Sequence, residues 1–389
     1  MIAIKLAYKN LVGAGLRTWL NVSVLSFAFV LMIFYNGMIE GWNRQARNDT
    51  QDWEIGEGQY WEQSYDRYDP YTFQDAHKLV SEDVAAMIDR GELTPILVRQ
   101  ANMYPEGRMQ SVLLKGVDPN QRILKLPTSD LNNVQNGYSA IIGRRMAKDA
   151  GLKVGDKVLV RWRDKNGMFD AIDINIAAIF KTDVPSVENG QMYLDINVLQ
   201  EMIGLPNQAT LLVAGENSSL SEIDGWDFKT TDFLLKEFDA LIQSKKAGGM
   251  VISGMLLLIA LLAIFDTQVL SIFRRQKEIG TYIALGMTRS QVVGIFTVEG
   301  GAHSILAAIV GAAYGIPLFL WLDSIGLSFG SSSQDMGIAV ADVIYPYYSI
   351  GMIFSSLLLV VISATIVSYL PARKISKMRP TDALKGKLQ

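Results

Sequence analysis

Four long apolar stretches interrupt this chain. They cover residues 18–39, 248–273, 291–322 and 346–370, and polar sequence separates them. A helix needs about 20 mostly apolar residues to cross a bilayer, so the pattern predicts four transmembrane helices. The largest polar block, 40–247, lies between the first two of them.

The polar block mixes helical and strand-like spacing of its apolar residues. Helical spacing predicts helices over 73–90 and 231–246, and the segments next to the membrane, 36–49 and 233–246, are expected to form stalk helices. Strands are predicted over 111–117, 157–162 and 172–180. The fold class is therefore an α-helical membrane protein with four transmembrane helices and a large α+β domain inserted between helices 1 and 2.

Basic residues are concentrated on one side of this predicted topology. Segments 1–17, 274–290 and 371–389 carry lysines and arginines, whereas the loop 323–345 contains neither. The positive-inside rule places the basic segments in the cytoplasm. Both termini are then cytoplasmic, and the inserted domain 40–247 lies outside the cytoplasm.

Composition and titratable residues narrow the possible chemistry. Of 389 residues, 49% are hydrophobic and only 19% are charged, which fits a mixture of membrane and aqueous parts. The net charge of −3 does not indicate a nucleic-acid partner. The chain lacks cysteine, which excludes disulfides and thiolate metal sites. The two histidines, His77 and His303, lie on opposite sides of the predicted topology, so neither a catalytic triad nor a metal site is expected.

The polar segment 274–290 separates two very apolar stretches and is itself amphipathic. A helix is predicted over 274–285, and one stripe of it is apolar: Ile279, Tyr282 and Ile283. Gly286 suits a left-handed helix stop, and Thr288 to Gln291 have the form of a capping box that begins the next span. The segment is either a simple connector or a helix whose polar face meets water or a partner.

The same segment resembles the coupling segment of the FtsX-like ABC transporter permeases. The family pattern is roughly E/R-R-x-x-E-I-G-x-x-x-A-L/I-G, and this chain carries RRQKEIGTYIALG. A Glu-Gly pair also follows, at Glu299 and Gly300, as in the third span of the family. The resemblance implies an ATPase-coupling role for Arg274, Arg275, Glu278, Ile279, Gly280, Ala284, Leu285 and Gly286.

The carboxy-terminal sequence YLPARKISKMRPTDALKGK is similar to the family's closing P-A-R-x-A-x-x-x-x-P-x-x-A-L-R. It departs from that pattern at Ile375, where alanine is usual, and at Lys385, where arginine is usual. The amino-terminal segment 1–17 is similar to the family's amphipathic first helix. It is expected to lie in the membrane interface with Lys5 and Lys9 towards water, or simply to extend the first span.

Three further stretches are similar to the lipoprotein-releasing members of the family: NGMIEGW, LLKGVDP and IIGRRMAKDAGLKVGDKV. Macrolide exporters are the nearest rival, but they usually carry their ATPase on the same chain. No G-x-x-x-x-G-K-[ST] phosphate-binding loop is present here. The resemblance therefore implies a permease that is not itself an enzyme and has no cofactor, with ATP and Mg bound by a partner ATPase.

The function implied by the resemblance is mechanical. A cytoplasmic ABC ATPase dimer would push on the segment 274–290, and the spans would transmit that push to the domain outside a bacterial inner membrane. The implied work is lipoprotein release. The alternatives are export of drugs or peptides and regulation of a periplasmic partner. Other implied partners are a second permease subunit, either the same chain or a sister chain, and a periplasmic carrier or adaptor.

Two acids, Asp266 and Glu299, lie within predicted spans, each about 12 Å from the cytoplasmic end at about 1.5 Å per residue. Acids facing lipid are costly, so both are expected to face other helices or water. They form either a polar pair used in gating or packing, or hydrogen bonds to nearby groups such as the hydroxyls of Thr267 and Thr297. Nothing around Asp266 resembles an intramembrane protease.

Bulky apolar residues at helical spacing on spans one and two suit an opening for acyl chains, although they are equally suited to ordinary packing. These candidate cargo-opening residues are Val24, Phe27, Leu31, Phe34, Met255, Leu258 and Leu262. In span three, Ala307, Gly311 and Gly315 recur every four positions and permit close approach of another helix. Sequence does not decide whether that helix belongs to the same chain or to a second subunit.

Overall fold

The computed structural model describes residues 16–133, 138–218, 222–328 and 343–377. The chain divides into two compact units. Of the described residues, the helical unit contains 16–43, 241–328 and 343–377, and the β-rich unit contains those between 44 and 240.

The helices, in chain order, are α1 (Leu16–Thr50), α2 (Glu82–Asp89), α3 (Arg144–Ala150), α4 (Pro185–Glu188), α5 (Ile196–Ile203), α6 (Thr231–Leu234), α7 (Lys236–Arg274), α8 (Gln276–Ala284), α9 (Arg289–Ile325) and α10 (Ile350–Ala372). A π-helical turn, Gln51–Ile55, follows α1. Turns of 3₁₀-helix cover Thr72–Gln74, Pro105–Gly107, Thr128–Asn133 and Arg373–Lys377.

Four helices of the described chain, α1, α7, α9 and α10, are long and apolar enough to cross a membrane, which is the number that the sequence predicts. The first of them, α1, is the most enclosed: 56% of its most apolar segment is buried, against 17% of that of α10. One apolar cluster joins all four helices, with Leu25 on α1, Ile264 on α7, Ala307 on α9 and Val360 on α10. The packing of the helical unit is therefore organised around α1.

The small residues of α9 bring it close to α1 within the same chain. A side-chain carbon built at Gly311 or Gly315 would lie 3.2 or 3.1 Å from Cγ2 of Val30, tighter than an ordinary van der Waals contact. Ala307 is 1% exposed in the same cluster. The four-residue spacing therefore serves packing within one chain, which is one of the two possibilities that the sequence leaves open.

The strands are β1 (Gly58–Glu62), β2 (Lys78–Leu79), β3 (Leu93–Met103), β4 (Gln110–Val117), β5 (Ser139–Gly143), β6 (Lys157–Arg163), β7 (Phe169–Phe180), β8 (Gln191–Asp195), β9 (Gln208–Ala209), β10 (Leu211–Ala214), β11 (Trp226–Thr230), β12 (Leu327–Ser328) and β13 (Val343–Ile344). β2 pairs with β9, and β12 pairs with β13.

The β-rich unit is built on a nine-stranded sheet in the order β11-β1-β10-β3-β4-β8-β5-β7-β6. β6 also pairs with β3, at Ala101 opposite Trp162, so six of the strands form a closed ring of pairings. β4–β8 and β5–β7 are parallel, and the other pairs of this sheet are antiparallel. The pairing with β3 gives β6, which would otherwise be an edge strand of the sheet, a partner on its second side.

Alternate residues of the central strands supply two separate apolar clusters, as the two-residue period of a strand requires. Ala140 and Ile142 on β5 belong to one cluster, which α3 and α5 complete. Ile141, between them, belongs to the other, together with Tyr193 and Val213. Both faces of the central sheet are therefore covered, which explains why β5 is buried at every position.

The predicted strands agree with β4, β6 and β7, but the predicted helix over 73–90 is wrong in its first half. Only Glu82–Asp89 is α-helical, and Lys78–Leu79 is a strand paired with β9. The Ser81 side chain caps α2 by accepting from the backbone N–H of Val84. A serine cap is a helix start signal, and it places the first helical residue, Glu82, nine residues later than the apolar spacing does.

Candidate functional site

The segment between α7 and α9 folds as a short capped helix. α7 ends at Arg274, Arg275 makes the turn, and α8 ends before Gly286, whose φ of +97° is a conformation that favours glycine. The Thr288 hydroxyl accepts from the backbone of Gln291, and the Gln291 side chain accepts from the backbone of Thr288. The predicted stop and capping box are therefore present.

The predicted apolar stripe of α8 is packed against the ends of α9 and α10. Ile279 is 0% exposed, and Tyr282 and Ile283 pack around the same cluster. The other members of this cluster include Val292, Phe296, Ala372 and Ile375. Ile375, which departs from the family pattern, is itself fully buried here. The helix is thus held firmly in place by its neighbours.

Arg275 is the centre of a charged network at the start of α8. Its Nε and Nη2 donate to the two carboxylate oxygens of Glu278, at 2.6 and 2.7 Å, and its Nη1 donates to Oε2 of Glu299 at 3.0 Å. The Tyr282 hydroxyl donates to Glu278 at 2.6 Å, and the guanidinium lies 4.9 Å from the ring centre of Phe296. One arginine therefore links α8 to the interior of α9.

The electrostatics of this network favour its charged forms. The hydrogen bond to Glu278 raises the pKa of Arg275, and the hydrogen bond from Arg275 lowers the pKa of Glu278. Burial raises the pKa of Tyr282, and its hydrogen bond to Glu278 raises it further. At neutral pH the Glu278 carboxylate and the Arg275 guanidinium are therefore charged.

The residues that carry the family resemblance divide into two sets. Arg275, Glu278, Ile279 and Gly280 face the helical unit and are buried or half-buried. The other set is exposed: Arg274 lies just before α8, and Ala284, Leu285 and Gly286 lie at its end, with the exposed Lys277 and Thr281 along the helix between them. Leu285 is 78% exposed. Arg275 and Glu278 do not belong to the polar face that was predicted to meet water or a partner, because Glu299 binds Arg275 and Tyr282 binds Glu278 on the inner side of α8.

The two intramembrane acids occupy different environments. Glu299 is 5% exposed and paired with Arg275, whereas Asp266 lies on the exposed surface of α7. The Thr267 hydroxyl bonds to Ala263 and Asn21, and that of Thr297 donates to Val293. Glu299 is therefore paired with Arg275 and not with Asp266, which was one of the two possibilities, and in the described residues the two hydroxyls donate to acceptors other than the acids.

The candidate cargo-opening residues all reach the surface of the helical unit to some extent. Four are exposed and three are half-buried, the exposed ones being Phe27, Met255, Leu258 and Leu262, and the others Val24, Leu31 and Phe34. Phe34 also packs against the cluster around α1. The role of these residues in cargo binding stays a prediction.

Some predicted features lie outside the described residues. They are most of the amino-terminal segment, including Lys5 and Lys9, most of the loop 323–345, and the end of the tail, including Lys385. Sequence reasoning missed Phe296 and the Arg275–Glu299 pair. The signal for that pair was the requirement that a buried acid have a partner of opposite charge.

Four helices able to span a membrane, a β-rich unit inserted between the first two, and a braced helix between the second and third are the architecture of a multi-pass membrane protein. Residues 250–380 match the family model described as FtsX-like permease C-terminal. This region, about a third of the chain, is similar to an FtsX-like permease domain.

Relatives with known names agree with this assignment. The chain is 22% identical over 327 residues to a lipoprotein-releasing system transmembrane protein LolC of Xylella fastidiosa, covering 75% of this chain and 76% of that one. It is 23% identical to an uncharacterized ABC transporter permease of Methanocaldococcus jannaschii, covering 64% and 62%. A macrolide export ATP-binding/permease protein MacB of Burkholderia lata is 25% identical, covering 50% and 26%.

Among solved structures, the chain is similar to the extracellular domain of the noncanonic ABC-type transporter YknZ from Gram-positive bacteria. The match has a TM-score of 0.27 and 14% identity, and it covers 42% of this chain and 83% of that one.

Proposed function

We propose that this chain converts ATP hydrolysis by a separate cytoplasmic ATPase into mechanical work on the other side of a bacterial inner membrane. The observation that carries the proposal is the division of α8 into a braced inner face and an exposed end. A helix that is packed and ion-paired on one side transmits a push, whereas a loose loop absorbs it. The ATPase dimer, which would bind ATP and Mg, docks on the exposed end around Leu285.

The push reaches the spans through two routes. The apolar stripe of α8 presses on Phe296 of α9 and on Ile375 after α10. The Arg275 guanidinium pulls on Glu299, which lies ten residues after Arg289, the first residue of α9. Because α9 packs on α1 at Gly311 and Gly315, a shift of α9 is passed on to the helix around which the helical unit is organised.

The basic flanks support a cytoplasmic location for α8 and both termini. In this orientation the β-rich unit lies in the periplasm. A second permease subunit completes the membrane part. The four spans of one chain make a thin bundle, which leaves apolar helix faces for that subunit to cover. Asp266 on the surface of α7 then faces that subunit or water, since an acid facing lipid is costly.

The cargo that we propose is a lipoprotein to be released from the inner membrane. The alignment to the Xylella fastidiosa protein spans three quarters of both chains, and that to the Burkholderia lata protein spans a quarter of the latter. Acyl chains would leave the bilayer at an opening lined by the seven apolar residues of spans one and two named above. A periplasmic carrier would then receive the lipoprotein.

Depletion of the chain in its own cells tests this cargo. Outer-membrane lipoproteins should accumulate in the inner-membrane fraction, and a photo-crosslinking residue at Phe34 should capture one of them. A crosslinker at Ile309, an exposed position of α9, is the matched control and should capture none. Normal lipoprotein sorting together with increased sensitivity to drugs or peptides would instead support the exporter alternative.

A further inference from the structure

A cleft of about 720 Å³ lies between α1, α7 and α10 inside the helical unit. This volume is in the usual range for small-molecule sites, about 300–1,000 Å³. The cleft differs from the proposed cargo opening, because none of the seven cargo-opening residues lines it. Its lining changes in character from one end to the other.

One end of the cleft carries a pair of opposite charges. The Lys246 ammonium lies 3.0 Å from Oε2 of Glu40, and the side chains are 43% and 28% exposed. Asn36 and Ser349 line the same end. Such a rim presents one cation and one anion side by side, and it can therefore bind a ligand that carries both charges.

The interior of the cleft is mostly apolar, but serines also line it, and two of them, Ser253 and Ser356, are buried. Met32, Leu257 and Leu359 supply the apolar surface. Ser253, seven residues and about 10 Å of helix beyond Lys246, lines the cleft and is only 8% exposed. Its hydroxyl has no hydrogen-bond partner among the described residues. A buried hydroxyl without a partner is costly. A ligand that brings a hydrogen-bond acceptor to this depth therefore removes that cost when it binds.

We propose that the cleft binds one zwitterionic amino-phospholipid of the phosphatidylethanolamine class. The lipid phosphate pairs with Lys246 and the lipid ammonium with Glu40. An ester carbonyl accepts from the Ser253 hydroxyl, and the acyl chain lies along Leu257 and Leu359. This order of charged headgroup, carbonyl and hydrocarbon is the order of the side chains along the cleft. The proposal does not rest on the proposed function, because it concerns a resident lipid and not the cargo.

The test uses the full-length permease, with any ATPase that co-purifies, in lipid nanodiscs that contain a trace of phosphatidylethanolamine with a photoactivatable acyl chain. Labelled peptides are then mapped by mass spectrometry. We expect labelling to concentrate on the α7 and α10 segments around Leu257 and Leu359. Labelling that is no stronger there than at the exposed Leu262 would overturn the proposal.

A matched pair of glycine variants tests the location. A side-chain carbon at either Gly254 or Gly248 of α7 meets no atom within 4 Å, so both tolerate a large residue, but only Gly254 lines the cleft. Gly254→Phe should reduce labelling around Leu257 at least about tenfold, whereas Gly248→Phe should leave it unchanged. Equal effects of the two variants would contradict the assignment.

Charge variants and competitors test the class of lipid. The double variant Lys246→Gln, Glu40→Gln should remove the preference for phosphatidylethanolamine over phosphatidylglycerol while the chain stays folded, as judged by its elution and thermal unfolding. An excess of unlabelled phosphatidylethanolamine should compete. Competition by a triacylated lipopeptide but not by this phospholipid would overturn the proposal and assign the cleft to cargo. That outcome would leave the proposed function standing.

Discussion

The guanidinium of Arg275 donates at 3.0 Å to the carboxylate of Glu299, a residue that is 5% exposed in the interior of α9. The same group donates twice to Glu278 on α8. An ion pair in this position ties the surface helix to a membrane-spanning helix. Loss of this ion pair should cost more stability than loss of any other contact in the network, because a buried charge without its partner is strongly destabilising.

Single and double variants of this pair should behave very differently. Arg275→Leu leaves Glu299 buried without a countercharge and should cost about 3–5 kcal/mol of the free energy of unfolding. Glu299→Leu should cost less, since Arg275 keeps its bond to Glu278. The double variant should be more stable than Arg275→Leu alone. The thermal unfolding of the purified chain measures all three, and a double variant that is simply additive would exclude the pair as a coupled unit.

The exposed end of α8 can be altered without disturbing the fold. Leu285 is 78% exposed, and surface substitutions usually change stability by less than about 0.5 kcal/mol. If the ATPase docks here, Leu285→Asp should lower the amount of ATPase that co-purifies with the tagged permease about tenfold. Met168→Asp, at an exposed apolar position of the β-rich unit, is the control. Unchanged recovery of the ATPase with Leu285→Asp would contradict the docking surface.

Glu278 is a poor position for the same test, although the sequence suggests it as an exposed charge. The structure places its carboxylate under Arg275 and Tyr282. Glu278→Lys would set a second cation beside Arg275 and remove the acceptor for the Tyr282 hydroxyl. A loss of coupling in that variant would therefore have two causes, weaker docking and local destabilisation. A substitution at the exposed Leu285 changes docking without the local destabilisation.

Replacing glycine with alanine should have opposite effects on stability at two positions of α9. A side-chain carbon at Gly300 would overlap the side chain of Ser368 on α10, whereas one at Gly294 meets no atom within 4 Å. Alanine in an open helical position stabilises by about 0.5–1 kcal/mol relative to glycine. Gly294→Ala should therefore raise the thermal midpoint slightly, and Gly300→Ala should lower it. Adding Ser368→Gly to Gly300→Ala should recover part of the loss; no recovery would place the strain elsewhere.

The sequence predicts the local features of this protein better than its long-range contacts. Capping at Thr288 and Gln291, the stop at Gly286 and the burial of Ile279 follow from residue type and spacing within a few positions. The contact of Arg275 with Glu299 does not, because it depends on how α8 folds back on α9. The strand ring of the β-rich unit is likewise set by pairings between distant segments, such as Ala101 with Trp162.

Acid should weaken the β-rich unit through Glu54. Burial alone would raise the pKa of this carboxyl above its ordinary 4.5, but Lys115, the Ser186 hydroxyl and Arg67 outweigh burial and hold it at about 2. Because the folded pKa is below the unfolded one, the stabilisation is fully present above about pH 4.5 and is lost as the pH falls towards 2.

Glu54→Gln should therefore cost at most about 3 kcal/mol at pH 7. The difference from wild type should shrink at pH 4 and further at pH 3. Urea unfolding of the intact chain, followed by tryptophan emission, measures it. Glu201→Gln, at an exposed position, is the control and should show little effect at any of these values. A cost for Glu54→Gln that does not change with pH would mean that the carboxylate stabilises by shape and not by charge.

The proposed orientation can be tested directly, because the chain has no cysteine of its own. Single cysteines are placed at Met168, 66% exposed in the turn between β6 and β7, and at Ser290, exposed at the start of α9. Met168 is a better position than its neighbour Gly167, whose φ of +79° disfavours any side chain. In intact spheroplasts an impermeant maleimide should label Met168→Cys and leave Ser290→Cys unlabelled. After permeabilisation both should react, which shows that both sites are accessible. Labelling of Ser290→Cys alone in intact cells would reverse the orientation and remove the docking surface for a cytoplasmic ATPase.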